Sequence, residues 1–111
     1  MTDSSLDLIR GTVDLLILKA LSDGDRHGYA VSEWIRSATD GTLLVEEGTL
    51  YPALHRLEAK GWIESEWGLS ENNRKAKYYG LTADGRTRLA EERAQWGRYA
   101  EAVARALDAG G

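Results

Sequence analysis

Two stretches of this chain carry side chains suited to holding an anion. From Thr49 to Lys60 the sequence TLYPALHRLEAK sets Thr49, Tyr51, Pro52, His55, Arg56 and Lys60 between apolar residues, which gathers hydroxyls and cations on one side of a helix. Further on, Asn72 to Tyr79 (NNRKAKYY) holds Arg74, Lys75 and Lys77 and no acid. A hydroxyl or cation donates to phosphate oxygens or base edges, and each cation on a phosphate adds a salt-dependent attraction that is blind to sequence. The first set suits a helix entering a DNA groove, where its N-terminal N–H groups also face phosphate. The second suits a loop following the backbone. A short charge run is as often a solvated turn, so the surrounding elements must decide.

Other chemistries lack their parts. The chain has no Cys, which excludes disulfides, thiolate metal sites and a cysteine nucleophile, and fits a reducing compartment. His27 and His55 lie 28 residues apart with no carboxylate at ligand spacing, so no metal site is expected. His27 reads as a helix-start residue and His55 as a surface residue. Glu46 and Glu47 precede a helix, where their charge favours the dipole. No nucleophile elbow, phosphate-cradling glycine loop or spaced acid/base pair is present, so no enzyme and no cofactor is expected.

The net charge of −4 is unevenly spread. Residues 1–49 carry four Lys/Arg against nine Asp/Glu, residues 50–82 five against four, and residues 83–111 five against five. The positive field is local, and an acidic total does not exclude a DNA partner. No apolar run reaches the length of a membrane span, and Met1 to Ser5 does not read as a signal peptide, so a soluble cytoplasmic protein is expected.

With 111 residues the chain has the size of one domain, enough to bury roughly two-thirds of its unfolded surface. Apolar periodicity predicts a first helix over Leu6–Leu21, with Ile9, Val13, Leu16, Ile17 and Ala20 on one stripe. Leu8, Leu15 and Leu18 fall outside that stripe, so a second face is expected to meet another chain. A second helix spans His27–Ala38 and contains Tyr29; Thr42–Val45 is β-prone and suggests an edge strand. Glu46–Lys60 forms a third helix, with Leu50, Leu54 and Leu57 facing inward and a start near Thr49 that leaves Pro52 in the first turn.

The period then changes to two. Trp62–Trp67 and Lys75–Thr82 read as a hairpin around the loop Gly68–Asn73. Trp62 and Trp67 are expected to pack the hairpin on the helices, and one of Tyr78 and Tyr79 to enter the core. Thr82 or Asp84 caps a last helix from Ala83 to about Leu107. Its Leu89, Trp96 and Val103 stand seven apart, with Tyr99 and Leu107 at offset positions. The fold class is mainly α with a small β-hairpin: a winged helix-turn-helix domain over 1–82 and a long C-terminal dimerisation helix over 83–111.

Val45 to Trp67 (VEEGTLYPALHRLEAKGWIESEW), Arg74 to Thr82 (RKAKYYGLT) and the earlier GTVDLLILKAL and HGY together resemble the PadR family of bacterial transcriptional regulators. The resemblance runs from about Leu8 to Leu107 in one collinear order and matches the compact subclass with a single C-terminal helix. It implies a homodimeric repressor on a pseudo-palindromic operator, with Tyr29, Thr49, Tyr51, Pro52, Arg56, Arg74, Lys75 and Lys77 against double-stranded DNA. His55 joins them from its place on the outward face. The wing reads R-K-A-K, with Ala76 interrupting a cluster that family members often keep more continuously basic. The resemblance also implies a dimer interface through the first and last helices, here Leu8, Leu15, Leu89, Trp96, Tyr99, Val103 and Leu107. In multidrug-responsive relatives an aromatic at the position of Trp96 lines a pocket for flat ligands, which Asp14 and Leu15 would join. A Trp on an apolar seam is more often interface packing, so a small aromatic effector stays one of two readings. The competing functional class is a dimeric winged-helix adaptor that contacts protein, and the cluster Arg74, Lys75 and Lys77 separates the two.

Overall fold

The computed structural model describes residues 11–110. Helix α1 (Thr12–Ala20) begins after Gly11, whose φ of 93° is a left-handed conformation that favours glycine. The part of the expected first helix before Gly11, with Leu8, lies outside the described residues. Strand β1 (Arg26–His27) leads directly into α2 (Gly28–Ala38), whose N-cap is His27; its Nδ1 accepts from the Ala30 N–H at 3.2 Å. Helix α3 (Glu47–Ala59), strands β2 (Ile63–Leu69) and β3 (Lys75–Leu81), and helix α4 (Ala83–Asp108) complete the chain.

The core lies where α1, α2 and α3 meet the sheet. Ile17, Leu18, Leu21, Val31, Ile35, Leu50, Leu54, Leu57 and Ile63 are fully buried. Leu18, expected on a face turned to another chain, is part of this chain's own core. Leu89, expected at the dimer seam, is half-buried and packs in part against the core cluster of its own chain, one turn and a half into α4. Tyr79, 4% exposed, is the tyrosine of the pair that enters the interior.

The sheet is antiparallel in the order β1-β3-β2, with Ile63 opposite Leu81 and Leu69 opposite Lys75. Its third strand is β1, paired through Arg26 with Tyr79 and His27 with Tyr78. The expected strand at Thr42–Val45 is absent. The open edge of β3 is taken by β1, and the Val45 carbonyl accepts from the Ser32 hydroxyl at 2.9 Å while the Val45 side chain is buried. That tie holds the segment as an extended lead into α3.

Helix α3 also starts two residues before Thr49. The Glu46 carbonyl accepts from the N–H groups of Thr49 and Leu50 at 2.9 and 2.8 Å, which closes the first turn early. Pro52 therefore stands in the second turn, where it withholds the N–H that would have met the Gly48 carbonyl.

One joint fixes α4 to the hairpin. Thr82 caps α4 by accepting from the Gly85 N–H at 3.0 Å, its hydroxyl donates to the Gly61 carbonyl at 2.7 Å, and its own N–H donates to the Trp62 carbonyl at 3.1 Å. Gly85 presses on that same carbonyl so closely that a Cβ there would approach the Trp62 oxygen to 1.9 Å. Trp62 packs against the core with the Lys60 ammonium and the Arg88 guanidinium each 4.7 Å from its ring. Beyond this joint α4 runs outward, and the described chain extends 58 Å along its longest axis.

Candidate nucleic-acid interface

The inward Leu50, Leu54 and Leu57 orient α3 so that Thr49, Tyr51, Pro52, His55 and Arg56 are all exposed. Tyr51 leans back over the start of α2. A Cβ on Gly28 would lie 2.7 Å from the Tyr51 hydroxyl oxygen, so the absence of a side chain there lets the two helices bring Tyr51 and Tyr29 to one surface. Tyr29 is 65% exposed.

The hairpin supplies the opposite wall. Its tip is closed by the Ser70 N–H donating to the Arg74 carbonyl at 2.8 Å and the Asn73 N–H donating to the Ser70 carbonyl at 2.9 Å. Asn73 has φ 60°, a left-handed turn position that Asn tolerates. Trp67, expected to pack on the helices, is instead 61% exposed. The reason is register: Trp67 stands opposite Lys77, on the part of the hairpin that extends past the helices. The ammonium groups of Lys75 and Lys77 lie 5.3 and 6.0 Å from its ring. Two cations are thereby held beside one aromatic ring.

Between these walls lies an open cleft of about 850 Å³. Tyr29, Tyr51, Lys75 and Lys77, four of the expected DNA contacts, line it together with Trp67 and Arg26. Thr49, Pro52, His55 and Arg56 continue the exposed surface along α3, and Arg74 stands at the hairpin tip. Glu33, also on the cleft, has its carboxyl held below the ordinary 4.5, first by the hydrogen bond from Arg36 and less by the Tyr29 hydroxyl. Sequence reasoning overlooked Trp67 as a platform and Arg26 as a lining cation. The alternation that put Trp67 on the same sheet face as Lys75 and Lys77 was the available signal.

A second cavity, about 310 Å³, opens between α1 and α4, lined by Gly11, Thr12, Leu15, Glu92, Gln95, Trp96 and Tyr99. Leu15 and Trp96 meet there as expected. Asp14 does not line it; its carboxylate is turned to α3, where Oδ1 accepts from Arg56 Nη2 at 2.5 Å. Glu92 and Tyr99, one turn either side of Trp96, were readable from helical spacing. The Trp96 and Tyr99 rings stand 5.9 Å apart, and with Val103 and Leu107 they form an exposed apolar stripe.

Three helices with a hairpin wing beside the third define the winged helix-turn-helix class. Comparison with known proteins narrows this. Residues 17–91 match the family described as transcriptional regulator PadR-like family. The chain is 36% identical over 97 residues to an uncharacterized protein of Lysinibacillus sphaericus, covering 87% of this chain and 89% of that one. It is 39% identical over 85 residues to the transcriptional regulator Rv3488 of Mycobacterium tuberculosis, covering 76% and 75%. Among solved structures, a transcriptional regulator from Clostridium thermocellum superposes with a TM-score of 0.80 at 36% identity, covering 90% of this chain and 97% of that one. A PadR family transcriptional regulator from Eggerthella lenta gives 0.75 at 35% identity, covering 90% and 85%. The chain belongs to the PadR-like family of transcriptional regulators, a family of regulators and not of enzymes. Among the described residues no helix is long and apolar enough to cross a membrane.

Proposed function

We propose that this transcriptional regulator is a cytoplasmic homodimer that binds a pseudo-palindromic DNA operator and represses transcription from it. The observation that carries the reading is the cleft in which Tyr29 and Tyr51 face Lys75 and Lys77 across Trp67, beside the exposed face of α3. Its chemistry suits a phosphodiester strand: cations for the phosphates, hydroxyls as donors, and aromatic faces for the sugars. Thr49, Pro52, His55 and Arg56 would then meet base edges in the major groove, while Arg74 reaches phosphate from the wing tip. The apolar stripe Trp96, Tyr99, Val103 and Leu107 supports pairing of residues 83–111 with a second copy, and two-fold pairing places two reading helices about one DNA turn apart. The cavity at Leu15 and Trp96, with its aromatic walls, supports a flat hydrophobic effector that releases the DNA.

The test is a fluorescence-anisotropy titration of the protein against DNA from upstream of its own gene, beside a scrambled duplex, at two salt concentrations. Tight, salt-sensitive binding that prefers the native duplex is expected. Weak, equal binding to both, repeated with duplexes selected from a random pool, sinks the DNA reading and gives the lead to a protein-contacting adaptor.

A further inference from the structure

We infer that Asp14 is a positioning residue for Arg56, fixing the arginine's reach and so setting the base preference of the reading helix. The inference rests on the DNA-reading function proposed above. Asp14 is on α1 and Arg56 on α3, 42 residues apart, and the Nη2–Oδ1 contact at 2.5 Å joins the two helices. The carboxylate is largely covered, with 21% of its side chain exposed, whereas the arginine keeps 49%. Arg56 is therefore gripped from behind. Among the described residues its guanidinium is bonded through Nη2 alone, and Nη2 keeps a second hydrogen that forms a two-donor edge with a neighbouring N–H.

A guanidinium presents its donors in a rigid planar fork, so holding one corner sets the direction of the others. An unheld arginine on an exposed helix face samples many rotamers, and ordering it on binding costs free energy at that moment. Asp14 moves that cost into folding. The same carboxylate carries a negative charge close to the reading surface, which disfavours every phosphate alike. A chain selected only for general DNA affinity gains nothing from it. Positioned against Arg56, it trades some sequence-blind attraction for discrimination at one base pair, where a bidentate arginine contact distinguishes guanine by its O6 and N7 acceptors.

The experiment selects preferred duplexes from a randomised pool with the unaltered full chain, then titrates the best one and a scrambled partner with the wild type, Asp14→Asn, Asp14→Glu, Arg56→Ala and the Asp14→Asn/Arg56→Ala double variant. Thermal melting accompanies each, so that binding is compared only between folded proteins. Arg56→Ala is expected to lower the ratio of preferred to scrambled affinity about 10-fold or more, as loss of a base contact does. Asp14→Asn is expected to lower the same ratio about 3- to 10-fold, with scrambled binding equal or tighter. Asp14→Glu keeps the carboxylate and recovers most of the ratio, and the double variant is no less selective than Arg56→Ala alone, because Asp14 acts through the arginine.

If Asp14→Asn tightens both duplexes alike and keeps the ratio while Arg56→Ala lowers it, the carboxylate merely repels phosphate and the positioning role is wrong. A double variant that loses the two effects additively overturns it as well. If Arg56→Ala keeps the ratio, or the pool yields no preferred duplex, the reading assigned to α3 fails first and takes this inference with it.

Discussion

Removing one wing cation separates attraction to phosphate from recognition of sequence, and its size can be worked out beforehand. Three wing cations per protomer, Arg74, Lys75 and Lys77, make six in the proposed dimer. At a slope of about −0.9 per neutralised phosphate, these alone make log K fall with log salt at about −5.4. Lys75→Ala removes one per protomer and flattens the slope to about −3.6, so a fourfold rise in salt weakens the wild type about 2,000-fold and the variant about 150-fold. Lys75 is exposed and pairs with Leu69 at the outer end of the hairpin, so its loss leaves the core untouched. The contact with Trp67 at 5.3 Å contributes only about 0.5–1 kcal/mol at an exposed site, too little to change folding. The assay is anisotropy at three salt concentrations on a preferred and a scrambled duplex. Affinity for both should fall together, with the preference between them unchanged. A variant that keeps the wild-type slope while altering sequence preference refutes the assignment of the wing to phosphate.

Three further outcomes follow from the packing. Trp96→Glu puts a charge into the apolar stripe with Tyr99 and Val103 and should shift sedimentation towards monomer; an unshifted dimer moves the interface away from α4. Gly85→Ala drives a Cβ to 1.9 Å from the Trp62 carbonyl oxygen, so overpacking should cost about 1–3 kcal/mol and lower the melting temperature by about 5 °C or more; an unchanged melt contradicts the tight joint. Burial, reinforced by the charge of Glu58 and then by Tyr51, raises the Tyr79 phenol above its ordinary 10.0. The folded chain thus keeps a proton that the unfolded chain gives up, so this contribution to stability is complete below pH 10.0 and is lost as pH rises through the folded value. Denaturant titrations at rising alkaline pH should show a decline that Tyr79→Phe reduces, and identical decline in both proteins would rule the tyrosine out.

The parts of the fold that obey a local period were legible. Leu50, Leu54 and Leu57 marked the buried side of α3, alternation marked β2 and β3, and Thr82 announced the start of α4. What escaped depends on distant partners. Arg26 and His27 have no strand signature of their own and pair only because β3 offers them an edge. Thr42–Val45 has the composition of a strand and finds no ladder, since Ser32 claims the Val45 carbonyl. Leu89 shares a heptad with Trp96 and Val103, yet lies close enough to the joint at Gly85 to pack in part against its own core. The site divides in the same way. Residue types and spacing pointed to Tyr51, Lys75 and Lys77, whereas the exposure of Trp67 came from how far the hairpin extends past the helices. The Asp14–Arg56 contact spans 42 residues and leaves no trace in either local sequence.

The tight joint at Gly85 makes α4 a lever. Its 26 residues, at about 1.5 Å each, give an arm of about 39 Å. Trp96 lies about 16 Å out along it, so a molecule that wedges α4 away from α1 by about 1 Å there turns the arm through about 3°. At the far end, near Leu107, the same turn is a displacement of about 2 Å. In the proposed dimer the two arms are clasped to each other, and the motion is returned through their pivots to the reading heads. Two α3 helices of that dimer would have to match a fixed DNA pitch, so a small rotation of α4 would become a spacing error between half-sites. Gly85 is held tight against the Trp62 carbonyl, and in the proposed dimer a small displacement beside Trp96 would be carried through that joint to the reading heads.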